Sequence, residues 1–306
     1  MKSSPRELIY LLIVSFLLIG SCALTLSKKE PETVVEVKVE KAKILSPLPV
    51  LSASASFPFL SAQAVLAVDL TSGVTLYEKN PDTPYLPAST TKIITALVAM
   101  DTYPADEILE VGNIKVEGQK MGLMMGEKIT FADLLDGLLI YSANDAAEVL
   151  AFNYPGGYDG FIVAMNEKAK QFNLERSYFV NPTGLDKAGQ LATARDLIRI
   201  AEIAMQNSEF AKIVGTKEKV VKSVDGTITH RLTNINKLIG EVPGVLGVKT
   251  GWTENARENL VTLVERDSRR VMIAIMGSQD RFGETKELIN WLFANYSWQE
   301  VSYPAY

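Results

Sequence analysis

The chain has 306 residues, 47% of them hydrophobic and 22% charged, with a formal net charge of −5. That is the composition of a globular protein of one or two domains, and it excludes a disordered or fibrous chain. Thirty-one Lys and Arg against 36 Asp and Glu, with no long basic run, leave no electrostatic footprint for nucleic acid. A single histidine, His230, and a single cysteine, Cys22, rule out an intramolecular disulfide and a His- or Cys-rich metal site. No Gly-x-Ser-x-Gly elbow accompanies His230, so a lone structural histidine is its expected role, and a hydrolase built on this chain must activate its nucleophile by another base.

At the N-terminus, Lys2 and Arg6 precede an uncharged, mostly apolar run from Leu8 to Leu26, followed by Lys28 and Lys29. At ~1.5 Å per residue the run nearly spans a ~30 Å hydrocarbon layer. Three readings fit: a signal anchor over residues 1–26, a signal peptide cleaved near Ser21 to Ala23, or a lipoprotein signal in which Ile19-Gly20-Ser21-Cys22 carries the lipid on Cys22. The anchor is the favoured one, and all three place the remainder outside the cytoplasm, attached in the anchor reading to the cell membrane. Residues 27–58 interleave Lys and Glu with valines (Val34-Val35-Glu36-Val37-Lys38-Val39-Glu40) and then carry Pro47, Pro49 and the stretch Ser52 to Ser56. This composition predicts a stalk, within which the alternating valines could form one strand.

A packed domain is predicted over residues 59–306. Ala64 to Leu70 and Val74 to Tyr77 read as a hairpin through Thr71-Ser72-Gly73. The run from Ile93 to Met100 is apolar nearly all round, which predicts a buried helix beginning near Ser89. Helical periodicity recurs at Phe131 to Leu139, Ala146 to Phe152, Phe161 to Phe172 and Ala194 to Met205. Strand-like runs follow at Lys219 to Val224, Asn259 to Val264 and Val271 to Met276, and a helix from Glu284 to Phe293 closes the domain. Adjacent late strands with short turns favour an antiparallel sheet, so the expected fold class is an α/β sandwich with a helical insertion.

Three short motifs carry chemistry. Ser89-Thr90-Thr91-Lys92 is the only Ser-x-x-Lys, and three-residue spacing on a helix sets the Lys92 amine beside the Ser89 hydroxyl. An apolar helix lowers the pKa of a buried amine, and a neutral lysine can accept the serine proton. Ser142-Ala143-Asn144 lies between two helical runs, where a turn can present a hydroxyl and an amide to a pocket. Lys249-Thr250-Gly251 closes the strand-like Val245 to Val248, and its glycine lets a peptide approach the strand edge. The glycines before Lys249 are wrongly spaced for a phosphate loop. Taken alone, Ser89 to Lys92 reads sooner as a helix N-cap serine followed by an ordinary lysine, and Asn144 or Asp145 as a helix N-cap.

Together the three motifs, in this order, resemble the active-site set of penicillin-binding proteins and serine β-lactamases. The nearer resemblance is to the D-alanyl-D-alanine carboxypeptidases, through Pro87 to Lys92, Ser142-Ala143-Asn144-Asp145-Ala146-Ala147, Asn181-Pro182-Thr183-Gly184-Leu185-Asp186, Thr193-Ala194-Arg195-Asp196 and Arg281 to Phe293. It runs from about Ala64 to Phe293. The resemblance implies a β-lactamase/transpeptidase-like fold: an antiparallel sheet flanked by helices, with an all-helical subdomain. It implies no cofactor, a peptidoglycan stem peptide as substrate and β-lactam antibiotics as covalent inhibitors. By the same resemblance Ser89 is the nucleophile, Lys92 its base, Ser142 a proton relay, and Asn144 an anchor for the Lys92 amine and the substrate amide. Lys249 sets the electrostatics of the pocket. Thr250, Thr253 and Arg281 recognise the terminal carboxylate. The amides of Ser89 and Trp252, the residue after Gly251, form the oxyanion hole.

Where the family continues from Thr253 toward Ala-Gly, this chain reads Ala256-Arg257-Glu258, which predicts added bulk and charge near the substrate edge. Two other readings remain. A class A β-lactamase needs a glutamate in Glu-x-x-Leu-Asn, and no Leu-Asn dipeptide exists here. A non-catalytic peptidoglycan-binding module on the same fold predicts loss of a catalytic side chain, and none of those named is missing.

Overall fold

The computed structural model describes residues 47–300. The segment predicted as an anchor, its alternatives at Cys22 and most of the predicted stalk lie outside these residues. Among the described residues no helix is long and apolar enough to cross a membrane.

The chain begins with β1 (Leu48–Leu51), β2 (Ala64–Asp69) and β3 (Thr75–Lys79), then passes a 3-10 turn at Ala88–Thr91 into α1 (Lys92–Thr102). The short pair β4 (Ile108–Glu110) and β5 (Lys128–Thr130) leads into the helices α2 (Phe131–Ile140), α3 (Asn144–Phe152), α4 (Gly157–Gln171), α5 (Ala194–Gln206) and α6 (Ser208–Val214). A second small pair, β6 (Glu218–Lys222) and β7 (Thr229–Thr233), precedes the long strands β8 (Val245–Thr253), β9 (Arg257–Arg266) and β10 (Arg269–Ser278), then α7 (Arg281–Asn295) and β11 (Tyr296–Gln299). The central sheet has the order β3-β2-β10-β9-β8, with every neighbouring pair antiparallel.

Period-two alternation splits the central strands between two cores. On one face Leu66, Val261, Leu263, Met272, Ala274 and Met276 pack against the helical block, including Ile93 and Ile94 of α1. On the other, Val65, Leu260, Val264, Ile273 and Ile275 meet Leu288, Ile289 and Leu292 of α7. Burial on both faces explains why these strands read as continuous apolar runs. The helices start where their caps allow: Thr130 and Thr193 accept the amides of Asp133 and Asp196 through their hydroxyls. Asp280 caps α7 on Gly283 N, so that helix starts at Arg281, ahead of the periodicity at Glu284.

Three features differ from the sequence expectation. Leu48–Leu51 lies within the span predicted as stalk and pairs antiparallel with Tyr296–Gln299. The partner is 245 residues downstream of Leu51 at Tyr296 in the antiparallel register, and a four-residue strand carries no periodic signal of its own. The helix predicted from Ser89 begins at Lys92, because Ala88 adopts φ +47 and the Ala88–Thr91 turn is tighter than an α-helix. The short helix α6, capped by Asn207 on Glu209 N and Phe210 N, has too few turns to declare itself by periodicity.

Candidate active site

The Ala88–Thr91 turn, the α2–α3 junction and the edge strand β8 converge on one cavity of 760 Å³, bordered by Ser89, Ser142, Asn144, Thr250, Trp252 and Arg281. Lys92 and Lys249 lie fully buried beneath it. The Lys92 amine donates to Asn144 Oδ1 (2.6 Å) and to the Thr183 carbonyl (2.7 Å), and stands 2.9 Å from Ser89 Oγ. A neutral amine has two N–H donors and one lone pair. Two fixed acceptors therefore leave the lone pair facing the serine hydroxyl. Burial, and after it the charge of Lys249, push the Lys92 amine well below the usual lysine range, with Glu148 and Asp145 opposing.

Ser142 sits between α2 and α3 with φ +60, a left-handed conformation that an L-residue adopts at a cost and that presents its side chain to the cavity. The Lys249 amine donates to Ser142 Oγ at 2.8 Å and to Thr250 O at 3.1 Å. Burial, and then the charge of Arg281, push Lys249 down to about 7. Gly251 keeps a tight approach open: a Cβ there would lie 3.0 Å from Ala88 Cβ, Pro87 O and Ser89 N and would push them back by a few tenths of an ångström. Its absence lets β8 approach the backbone of the nucleophile turn.

Arg281 donates from Nη1 to Gly251 O at 3.0 Å, and its backbone amide donates to Glu258 Oε2 at 2.8 Å. The Arg281 guanidinium also stands 3.8 Å from Glu258 Oε1. Thr253 lines the cavity, but its hydroxyl donates to Asp186 Oδ1 at 2.7 Å and accepts from Ala256 N at 3.0 Å. The hydroxyl expected to meet a substrate carboxylate is thus engaged within the protein. Trp252 is 61% exposed at the rim.

The substitution at Arg257 acts differently from the expectation. Its side chain is exposed and does not border the cavity, and its φ of +58 is the conformation a glycine would hold without strain. Glu258, not Arg257, reaches the site, through Arg281. His230 also stands apart from the cavity lining: it is buried, with Nε2 2.7 Å from Glu127 Oε1 and Nδ1 3.1 Å from Met121 O.

Two contributors escaped the sequence reading of roles. The Asn181–Asp186 loop supplies Thr183 O to Lys92, and Asn181 Oδ1 holds that loop by accepting Thr183 N, Thr183 Oγ1 and Gly184 N. A backbone carbonyl leaves no residue-type signal, although the turn-rich run itself was visible. The loop bearing Glu117, Gly118 and Gln119 forms another wall of the cavity. Among the described residues no cluster of His, Cys, Asp and Glu is arranged to hold a metal ion.

Glu148, on α3 one turn after Asn144, is half-buried, and burial pushes its carboxyl up to about 7, opposed by the Lys92 charge. Its folded pKa lies above the unfolded one, so its contribution to stability is complete below about 4.5 and is lost as pH rises through about 7. Glu148→Gln should therefore stabilise the protein at pH 8 by about 1 kcal/mol after solvent screening, and hardly at all at pH 4. Thermal unfolding of both proteins at the two pH values checks this; an equal difference at both would contradict it.

The fold thus brings a serine hydroxyl and a buried lysine amine together at one cavity. The model of the D-alanyl-D-alanine carboxypeptidase family of serine peptidases matches residues 52–280. A D-alanyl-D-alanine carboxypeptidase of Mycobacterium tuberculosis is 34% identical over 251 residues, 79% of this chain and 85% of that protein. A D-alanyl-D-alanine endopeptidase of Escherichia coli is 31% identical, over 78% of this chain and 79% of that protein. The crystal structure of the Streptomyces K15 DD-transpeptidase superposes with a TM-score of 0.73 at 31% identity, covering 78% of this chain and all of that one. The chain belongs to the D-alanyl-D-alanine carboxypeptidase family.

Proposed function

We propose that this chain is a serine-type D-alanyl-D-alanine carboxypeptidase that removes the terminal D-alanine of peptidoglycan stem pentapeptides through an acyl-enzyme on Ser89. The observation that carries the reading is the Lys92 amine, buried, held by two acceptors and 2.9 Å from Ser89 Oγ. Lys92 takes the Ser89 proton as the oxygen attacks the carbonyl between the two D-alanines. The developing oxyanion is held by the amides of Ser89 and Trp252, a type of contact whose loss costs ~10²-fold or more in rate. As the C–N bond breaks, Ser142 passes a proton to the leaving amine and is resupplied from Lys249, 2.8 Å away. Water then cleaves the ester, giving the shortened peptide's carboxylate and restoring the Ser89 hydroxyl.

Thr250 and Arg281 are the groups suited to the terminal carboxylate, with Thr253 joining once Asp186 yields its hydroxyl. As family members do, the chain takes peptidoglycan peptides and binds β-lactams, and so works outside the cytoplasm. Residues 1–26 hold it at the membrane, and the stalk that follows gives way to the catalytic domain by Leu48, where β1 joins β11.

The β-lactamase alternative shares the first half-reaction and differs in the second. Labelled penicillin should give an adduct on Ser89 that persists for many minutes and is absent from Ser89→Ala. Rapid turnover of the label with release of the opened ring would overturn the carboxypeptidase reading in favour of a β-lactamase.

A further inference from the structure

The segment Gly112 to Gly126, between β4 and β5, holds no helix or strand, yet Glu117, Gly118 and Gln119 form a wall of the cavity. Two consecutive residues at the start of α3 grip it. Asn144 donates its backbone N–H to Gln119 O at 2.7 Å and its side-chain Nδ2 to Glu117 O at 2.6 Å. The Asp145 carboxylate accepts three successive loop amides, Met121 N (3.0 Å), Gly122 N (2.8 Å) and Leu123 N (3.1 Å), as well as Ala146 N (3.1 Å). Asp145 is 3% exposed.

A group facing four N–H donors with no acceptor nearby must be acceptor-only, which a carboxylate satisfies and an amide does not. Its place in the first turn of α3 adds the favourable end of the helix dipole. The loop in turn decides how Asn144 points. With Nδ2 tied to Glu117 O, the amide oxygen is the end presented to Lys92 Nζ at 2.6 Å. Gly118, at φ +77, packs so closely on the amide that a Cβ there would lie 2.9 Å from Asn144 Nδ2.

We infer that Asp145 is a positioning residue for the serine–lysine chemistry: by clamping the amides of Met121 to Leu123 it sets the Glu117 carbonyl that orients Asn144 toward Lys92. The inference rests on the reading of Ser89 and Lys92 given above. Asp145 touches no substrate and acts through Asn144. Besides Asn144, Thr183 O and Ser89 Oγ, the charged groups that act on Lys92 are Lys249 from β8 and Glu148 and Asp145 from α3.

The test follows acylation of the full chain by a penicillin across pH, where the acid limb of the rate reports deprotonation of Lys92. Asp145→Asn puts an NH₂ group against N–H donors and removes a negative charge, and Gly118→Ala pushes on the Asn144 amide while leaving Asp145 intact. In both, the ammonium form of Lys92 loses an acceptor. The plateau rate should fall ~10- to 100-fold and the acid limb should move to lower pH, by about one unit in Asp145→Asn and less in Gly118→Ala. A fall in rate in both variants with the limb at its wild-type pH makes Asp145 merely structural and overturns the inference, as does an unchanged rate. If Asp145→Asn does not fold, Asp145→Glu, which keeps the charge but displaces the acceptors of Met121 N to Leu123 N, decides in its place by the same two readouts. A wild-type chain that takes up no penicillin overturns instead the reading of the site, a result separate from either.

Discussion

Lys92→Met is expected to lower acylation of the protein by ~10³- to 10⁴-fold, for a D-Ala-D-Ala peptide and for penicillin alike, with the fold retained. Methionine matches the length of the lysine stem, adapts readily to an interior, and residue 92 is fully buried. What it removes is, among the described residues, the one base hydrogen-bonded to Ser89 Oγ, and positioned proton transfer contributes ~10²- to 10⁴-fold. The upper part of that range is expected because among the described residues no other base contacts Ser89: His230 is bound to Glu127 and Met121, and Lys249 contacts Ser142. Measuring the second-order acylation rate beside the circular dichroism of each variant checks this. A loss under tenfold would mean that another group takes the proton.

Gly184→Ala should have the largest effect on stability. A Cβ at this position would lie 1.9 Å from Ala88 O and 2.4 Å from Ala88 C, and the backbone stands at φ +85. Neither strain can relax cheaply, since Ala88 is itself at φ +47 and Gly184 N is held by Asn181 Oδ1 at 2.7 Å. A loss of ~4 kcal/mol or more is expected, comparable to a severe core defect. Whatever protein folds should also be slow to acylate, because moving Ala88 moves Ser89 and moving the loop moves Thr183 O away from Lys92. Urea unfolding and penicillin labelling report the two effects, and a fully stable, fully active variant would contradict the close approach.

The parts of the site that a sequence shows are those whose chemistry lies in side chains at short, fixed spacing. Ser89 and Lys92 declare themselves three residues apart, and Ser142 with Asn144 two apart. The sheet declares itself too, because strands covered on both faces, such as Val271 to Met276, are apolar without interruption. What stays hidden is carried by the backbone or by distant partners. Thr183 acts through its carbonyl, the Glu117–Gln119 wall through two carbonyls, and Asp145 through amides of a loop more than twenty residues before it. The Asp186 carboxylate that engages the Thr253 hydroxyl lies 67 residues away, so no local pattern pairs the two. Arg257, as a charge in the sequence, suggested altered recognition, whereas in three dimensions its effect is a left-handed turn outside the cavity. β1 illustrates the same limit for the fold, since nothing local to Leu48–Leu51 names Tyr296–Gln299 as its partner.

The central claim is that Ser89, activated by Lys92, hydrolyses the bond before a terminal D-alanine. The most direct measurement incubates the full chain with a peptide ending in D-Ala-D-Ala and assays free D-alanine, beside Ser89→Ala. The account predicts steady release by the wild type and none by the variant. No release from well-folded wild type, or equal release from both proteins, would contradict it.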